Sequence, residues 1–244
     1  MDTRELKRRA AHQAVEMVES GMVVGLGHGS TAAFATQRLA ELLSNGQLKE
    51  ILAIPCSQEV NDLAQSLGIR ITSFETHPTI DLTIDGADEV DPQMDLIKGG
   101  GGALLREKIV ASASTREIII VDGSKLSPAL GTRFALPVEV VPFAAAIEQR
   151  FIESLGAQVV LRGAATPFRT DQQNFILDCS FGPIREPEAL ASMLDARAGI
   201  VAHGLFVRLA TDLIVADSSG TYTFTRGEDL TGFVDESGAT HAAS

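Results

Sequence analysis

Three features of the 244-residue sequence predict an α/β fold in which a Rossmann-like parallel-sheet domain carries an inserted, smaller ferredoxin-like α+β domain. Short apolar strands alternate with helices through the first half of the chain, the pattern of a doubly covered parallel sheet. Four of the strand ends carry polar, glycine-containing turns, which a parallel sheet gathers along one edge. Past Gly131 the order changes to strand–helix–strand–strand–helix–strand, the split unit of ferredoxin-like folds. The expected division is 1–131 for the larger domain, completed by 207–244, with 132–206 as the smaller one.

Composition narrows the partners. The chain is 45% hydrophobic and 21% charged, ordinary for a globular protein. A net charge of −12 and a pI near 4.8 argue against nucleic acid or an anionic membrane as a partner. No apolar run reaches the roughly 20 residues of a spanning helix. The opening MDTRELKRRAAHQ lacks the apolar region of a signal peptide. Cys56 and Cys179 form no CxxC pair, so two inert thiols in a reducing cytoplasm are expected.

Taken in order, residues 3–19 read as a helix, with Leu6, Ala10, Ala14, Met17 and Val18 on one face. Gly21 ends it, and residues 22–24 begin a buried strand. That strand opens into GLGHGSTAAF (25–34), a glycine-rich turn and a helix that Ser30 or Thr31 can cap. Amides and dipole at the helix start form a site for a phosphate-sized anion. A dinucleotide is disfavoured. The third glycine of G-x-G-x-x-G would fall on Ser30, and no acidic residue closes the next strand, 51–54.

A helix over 58–67, a strand over 69–72 and an apolar strand over 80–84 follow. They lead into DGADEVDPQMDLIKGGGGALLREK (85–108), around which the chain is organised. A carboxylate turn at a strand's C-terminal end is where open α/β sheets place ligands. The glycine run lets backbone approach a ligand closely. Lys98 can neutralise negative charge, and Glu107, on a helix over 103–112, can move a proton. A buried strand at 118–121 ends in DGSK (122–125), bringing Lys125 to the same edge.

The second unit comprises strand 135–140, helix 142–155, strands 158–161 and 175–180, helix 187–196 and strand 200–206. A proline opens the last helix, where its missing N–H costs nothing. A hairpin of 212–216 with 222–224 completes the first sheet. Residues after Asp235 are small and polar and are expected to fray. His77 and His203 are assigned to loop packing or solvent contact.

Six stretches, GLGHGSTAA (25–33), DGADEVD (85–91), KGGGGALLREKIVA (98–111), DGSK (122–125), LPVEVVP (136–142) and GLFVRLATDLIV (204–215), together resemble the ribose-5-phosphate isomerase type A family nearly end to end. The resemblance implies interconversion of ribose 5-phosphate and ribulose 5-phosphate, with neither metal nor organic cofactor, by a homodimer or homotetramer. It places the substrate among His28, Gly29, Ser30 and Thr31, then Asp85, Gly86, Ala87 and Asp88, then Lys98, Gly99, Gly100 and Gly101. Glu107 matches the family's base, and Lys125 a further site lysine. Two departures stand out. His28 occupies a position where the family usually has threonine, and the turn at 171–174 lacks the glycine common there.

The residues themselves allow that chemistry. Isomerisation through an enediolate needs one carboxylate to move a proton between adjacent carbons, and Glu107 is the candidate. Lys98 and the amides of the glycine run can hold the developing oxyanion. Asp85 and Asp88 have the reach to hold sugar hydroxyls, and one can assist ring opening. A metal at that turn is disfavoured, since two cations lie nearby in sequence and no histidine does. Another phosphosugar isomerase or lactonase, or a coenzyme A transferase, remains open as an alternative. A sugar-phosphate-binding regulator would need a DNA-binding module and a different charge.

Overall fold

The computed structural model describes residues 2–163, 165–228 and 230. The tail past Asp235, expected to fray, lies outside the described residues. Helix α1 (Thr3–Val15) opens on Asp2, whose carboxylate accepts the Arg4 N–H at 3.1 Å, a side-chain N-cap. Then come β1 (Val23–Leu26), α2 (Ser30–Ser44), β2 (Leu52–Pro55), α3 (Gln58–Ser66) and β3 (Ile80–Asp85). Two very short strands, β4 (Glu89–Val90) and β5 (Leu96–Ile97), precede α4 (Leu104–Ser112) and the long β6 (Ser114–Asp122). The second half holds β7 (Leu136–Val140), α5 (Ala145–Ser154), β8 (Gln158–Leu161), β9 (Phe175–Ser180), α6 (Pro187–Asp195) and β10 (Ile200–His203). It closes with β11 (Leu205–Phe206), β12 (Asp212–Ala216) and β13 (Thr221–Thr225).

The main sheet runs β13-β12-β6-β3-β1-β2, parallel throughout except for the β13 edge. Alternation along the strands fills both faces. Ile118 and Ile120 join Val24, Leu26, Leu82 and Ile84 in one core beneath α1 and α2. Ile119 and Val121 point the other way, into a core with Leu96, Ala111 and Phe206. The C-terminal ends of β1, β3 and β6 therefore lie side by side, with Leu26 paired to Ile84 and Asp85 to Ile119.

A second sheet runs β10-β7-β9-β8, antiparallel at every step, over a core that takes Ile152 from α5 and Leu190 and Leu194 from α6. This is the order of the split β-α-β-β-α-β unit. A third, β11-β5-β4, is also antiparallel. The architecture is thus an α/β fold with a mostly parallel six-stranded sheet and two smaller antiparallel ones. No helix among the described residues is long and apolar enough to cross a membrane.

Local differences from the sequence reading have physical causes. The first helix stops at Val15, and residues 17 and 18 instead bond three residues back, which turns the chain toward β1. Residues 69–72 are not a strand. They touch the edge of β2 through one bridge, Ala53 with Ile71, and then bend away. Neither Ser30 nor Thr31 caps α2. The cap position is Gly29, at φ 99°, and no side chain bonds there. The single strand expected over 200–206 is two, β10 and β11, in different sheets.

Gly204 makes that break. Its N–H donates to the Pro137 carbonyl at 2.7 Å, and its own carbonyl accepts the Lys98 N–H at 2.9 Å. A Cβ at this position would strike the Lys98 carbonyl oxygen and lie 2.8 Å from Pro137 Cδ. Gly204→Ala is accordingly expected to push β5 and β7 apart and cost about 1–3 kcal/mol. A denaturant midpoint unchanged from the parent's would show that the strands absorb a methyl group there.

Candidate active site

The common edge of β1, β3 and β6 forms one wall of a small cleft of about 110 Å³. Residues 28–31 after β1, 86–88 after β3, 98–101 after β5, Glu107 on α4 and Lys125 after β6 all line it. Every residue singled out from the sequence is there except Asp85, which lies just behind. Lys7 of α1 is the one addition.

Behind the cleft wall sits a buried ion cluster. Lys98 Nζ lies 2.9 Å from Asp85 Oδ2 and 3.0 Å from Glu107 Oε1, and donates to the Gly86 carbonyl at 2.5 Å. Those three acceptors use all the protons of an ammonium. Its burial opposes the Lys98 charge, but Asp85 and Glu107 outweigh it and hold the pKa above the ordinary lysine value. Asp85 is equally committed. Its Oδ1 accepts the His28 N–H at 3.0 Å and the Gly86 N–H at 2.7 Å. Gly27 is needed for this closeness, because a Cβ there would collide with the Asp85 carboxylate and its backbone.

Glu107 is different. Burial pushes its carboxyl up to about 7, against the pull of Lys98 and with the added repulsion of Asp85. Oε1 is held by Lys98, while Oε2 is buried without a hydrogen-bond partner among the described residues. One oxygen is fixed and the other is available to take a proton. Such an arrangement can serve a general base near neutral pH.

The anion end is built from α2. Its first internal bond runs from the Ala33 N–H to the Gly29 carbonyl, so the amides of Ser30, Thr31 and Ala32 are left outside the helix's own pairing. Ser30 Oγ accepts from Lys7 Nζ at 3.0 Å, which brings a cation to the same helix end. The His28 amide, expected to face an anion, is instead spent on Asp85. The His28 ring bonds Ser57 Oγ through Nδ1 at 3.0 Å and lies over Gly101, where a Cβ would hit it. Across the cleft, Asp88 Oδ2 accepts the Gly100 N–H at 2.7 Å and steadies the glycine run. No group of three or more His, Cys, Asp or Glu side chains among the described residues is arranged to hold a metal.

Sequence reasoning missed two residues here. Lys7 borders the apolar stripe of α1, but only the packing of α1 on α2 brings it to Ser30. Glu117 opens the apolar run of β6 and shares a strand face with Ile119 and Val121, a period-2 signal that could have marked it. It is 1% exposed, opposite Thr83 in register, and neither carboxyl oxygen has a hydrogen-bond partner among the described residues.

Fold and cleft together define an α/β enzyme that can hold a small anion beside a buried carboxylate. The family model for ribose 5-phosphate isomerase A (phosphoriboisomerase A) matches residues 52–220. Ribose-5-phosphate isomerase A of Chloroflexus aurantiacus is 57% identical, over 93% of this chain and 95% of its own. That of Desulfatibacillum aliphaticivorans is also 57% identical, over 88% and 94%. Among solved structures, a D-ribose-5-phosphate isomerase in complex with phospho-erythronic acid superposes with a TM-score of 0.90 at 35% identity, covering 93% of this chain and all of that one (100%). The Plasmodium falciparum ribose 5-phosphate isomerase gives 0.89 at 37% identity, covering 92% and 100%. The chain belongs to the ribose 5-phosphate isomerase A family, and interconverts ribose 5-phosphate and ribulose 5-phosphate in the pentose phosphate pathway.

Glu117 gives the buried cluster a measurable signature. Burial, reinforced by Asp85, raises its pKa well above the ordinary value of 4.5, so the folded state holds the proton that the unfolded chain releases. Stability is therefore lost as pH rises from that ordinary value toward the folded one. Glu117→Gln removes the ionisable proton while keeping the shape. Its melting temperature is expected to exceed the parent's at about pH 8, with the gap closing near pH 4, where both side chains are neutral in both states. A gap independent of pH would mean that Glu117 is ionised in the fold.

Proposed function

We propose that Glu107 is the base that moves the proton in this isomerisation, and that the free Oε2 is the atom that takes it. The observation that carries the reading is the asymmetry of that carboxylate, one oxygen tied to Lys98 and the other unpartnered at the cleft. With the sugar phosphate opened, its phosphate rests on the amides at the start of α2 and on Lys7 and Lys125. The reacting carbons then lie toward Glu107. Oε2 removes the proton from the second carbon and returns it to the first. Lys98, with three acceptors already satisfied, contributes chiefly a fixed positive potential beside the enediolate. Asp85 positions Lys98 and does not itself contact sugar. Asp88 lines the cleft and is placed to hold a hydroxyl.

The remaining readings rest on the same assignment. We take 132–206 as a small domain inserted in 1–131 with 207–244, supported by a four-stranded sheet that falls wholly within it. A cytoplasmic homo-oligomer agrees with the family, and fully exposed Phe143 beside half-exposed Ile147 supplies apolar surface for contact between copies. Light scattering checks the oligomer.

Glu107→Gln keeps the size of the side chain and removes the base. Turnover is expected to fall roughly a hundred- to ten-thousandfold, while substrate still binds. Exchange of the sugar's carbon-bound proton with deuterated solvent should stop with it. In the parent enzyme the base works unprotonated, so kcat/KM should decline as pH falls through about 7. A glutamine variant that exchanges the proton near the parent rate would remove Glu107 from this role.

His28→Thr tests the other end. The ring contacts Ser57 and Gly101, and the backbone N–H that holds Asp85 survives this substitution. Turnover is expected to stay close to the parent's, with KM changed by less than about tenfold, or about 1.4 kcal/mol. A hundredfold loss of turnover would place the imidazole in the chemistry.

A further inference from the structure

Outside the cleft, a second set of side chains has the connectivity of an activated nucleophile. Lys108 follows Glu107 on α4 but reaches the opposite way, toward β10. Its Nζ lies 3.2 Å from Nδ1 of His203. The same Nδ1 accepts the Leu205 N–H at 3.3 Å, so the ring proton sits on Nε2. That Nε2 is 3.1 Å from Asp195 Oδ1, off the direction of a good hydrogen bond. Amine, imidazole and carboxylate thus stand in line, with the neutral imidazole nitrogen facing the amine.

The surroundings favour a free amine. Lys108 is half-buried and packs 5.1 Å from the centre of the Phe206 ring. Burial pulls its pKa down to about 8, with Asp195 opposing. His203 is 2% exposed. Burial first, and the nearby Lys108 second, bring it to about 4, leaving the imidazole neutral and its Nδ1 a hydrogen-bond acceptor for the Lys108 amine. Beside Lys108 a surface recess of about 370 Å³ is walled by Leu105, Ile109, Ala113 and Val201. This recess is separate from the isomerase cleft and has the apolar lining that a small acyl chain requires.

We propose that Lys108 is an acylation site, taking a short acyl group from an acyl phosphate. The Nζ lone pair attacks the donor's carbonyl carbon, and the bond from that carbon to the phosphate oxygen breaks. Phosphate leaves with the bonding pair, and the proton shed by nitrogen goes to solvent, while the hydrogen bond to His203 Nδ1 keeps the amine oriented. The product is a neutral amide whose acyl group lies against the recess wall.

The chain has five lysines, Lys7, Lys49, Lys98, Lys108 and Lys125, so each can be followed separately by peptide mass spectrometry. The intact enzyme is incubated with acetyl phosphate near pH 7.5, with exposed Lys49 as the internal reference. Lys108 is expected to acetylate about tenfold faster than Lys49, or more. His203→Gln should slow Lys108 severalfold and leave Lys49 unchanged. Asp195→Asn, at an exposed position that does not threaten the fold, should slow it less. Isomerase turnover reports that each variant is folded. A Lys108 rate no greater than that of Lys49, or one indifferent to both substitutions, overturns the proposal.

Discussion

The buried ammonium of Lys98 is the interaction on which the site depends. An unpaired charge at 2% exposure would be prohibitive, since even after relaxation the penalty is several kcal/mol per ion. Two carboxylates and a carbonyl meet it, but they leave the cluster with one negative charge too many. Asp85 accepts two backbone N–H groups besides its ion pair. Glu107 has Lys98 alone. Burial, with the repulsion of Asp85 added, outweighs the pull of Lys98 and raises the Glu107 pKa to about 7. A carboxyl group poised near neutrality can both take up and release a proton there.

That cluster is assembled from segments distant in sequence, and the three sheets are what bring them together. β3 delivers Asp85 to the edge of the main sheet, and α4 delivers Glu107 over its face. Lys98 comes from β5, pinned between β4 and β11. The Asp88 N–H bonds the Ile97 carbonyl at 2.9 Å, and the Lys98 N–H bonds Gly204. Both connections are backbone to backbone, so the lysine's placement depends little on its neighbours' side chains. What it does require is close approach, which is why glycine stands at 27 and at 204.

Much of this was legible in the sequence. Strands of four or more apolar residues and helices with a clear stripe announce themselves by period, and their polar ends predicted a shared edge. The lining of the cleft followed directly. The two-residue strands β4, β5 and β11 are too short to carry a period, so the small sheet that anchors Lys98 was invisible. Residues 69–72 carried an apolar pattern but found only the edge of β2 to pair with. Asp85 read as a sugar contact because a turn carboxylate at a strand end usually faces ligand. Only the structure reveals that Lys98, His28 and Gly86 consume it. Lys7 belongs to the packing of one helix on another, which no local signal encodes.

Charge is unevenly distributed around the cleft. A chain with a net charge of −12 repels a phosphate dianion at long range. That repulsion fades beyond the screening length of about 8 Å at physiological salt, and inside it the cleft has two unlike ends. At one, Lys7 and the unpaired amides of α2 present positive potential. At the other, Glu107 and the buried Asp85 share a single ammonium. A phosphate reversed in the cleft would meet those carboxylates, with like charges opposed in a setting of low dielectric. The opposite orientation sets the phosphate beside Lys7 and the uncharged end of a phosphosugar toward Glu107. The polarity of the cleft thus has one origin, the confinement of the buried Asp85–Glu107 charge to the end away from Lys7.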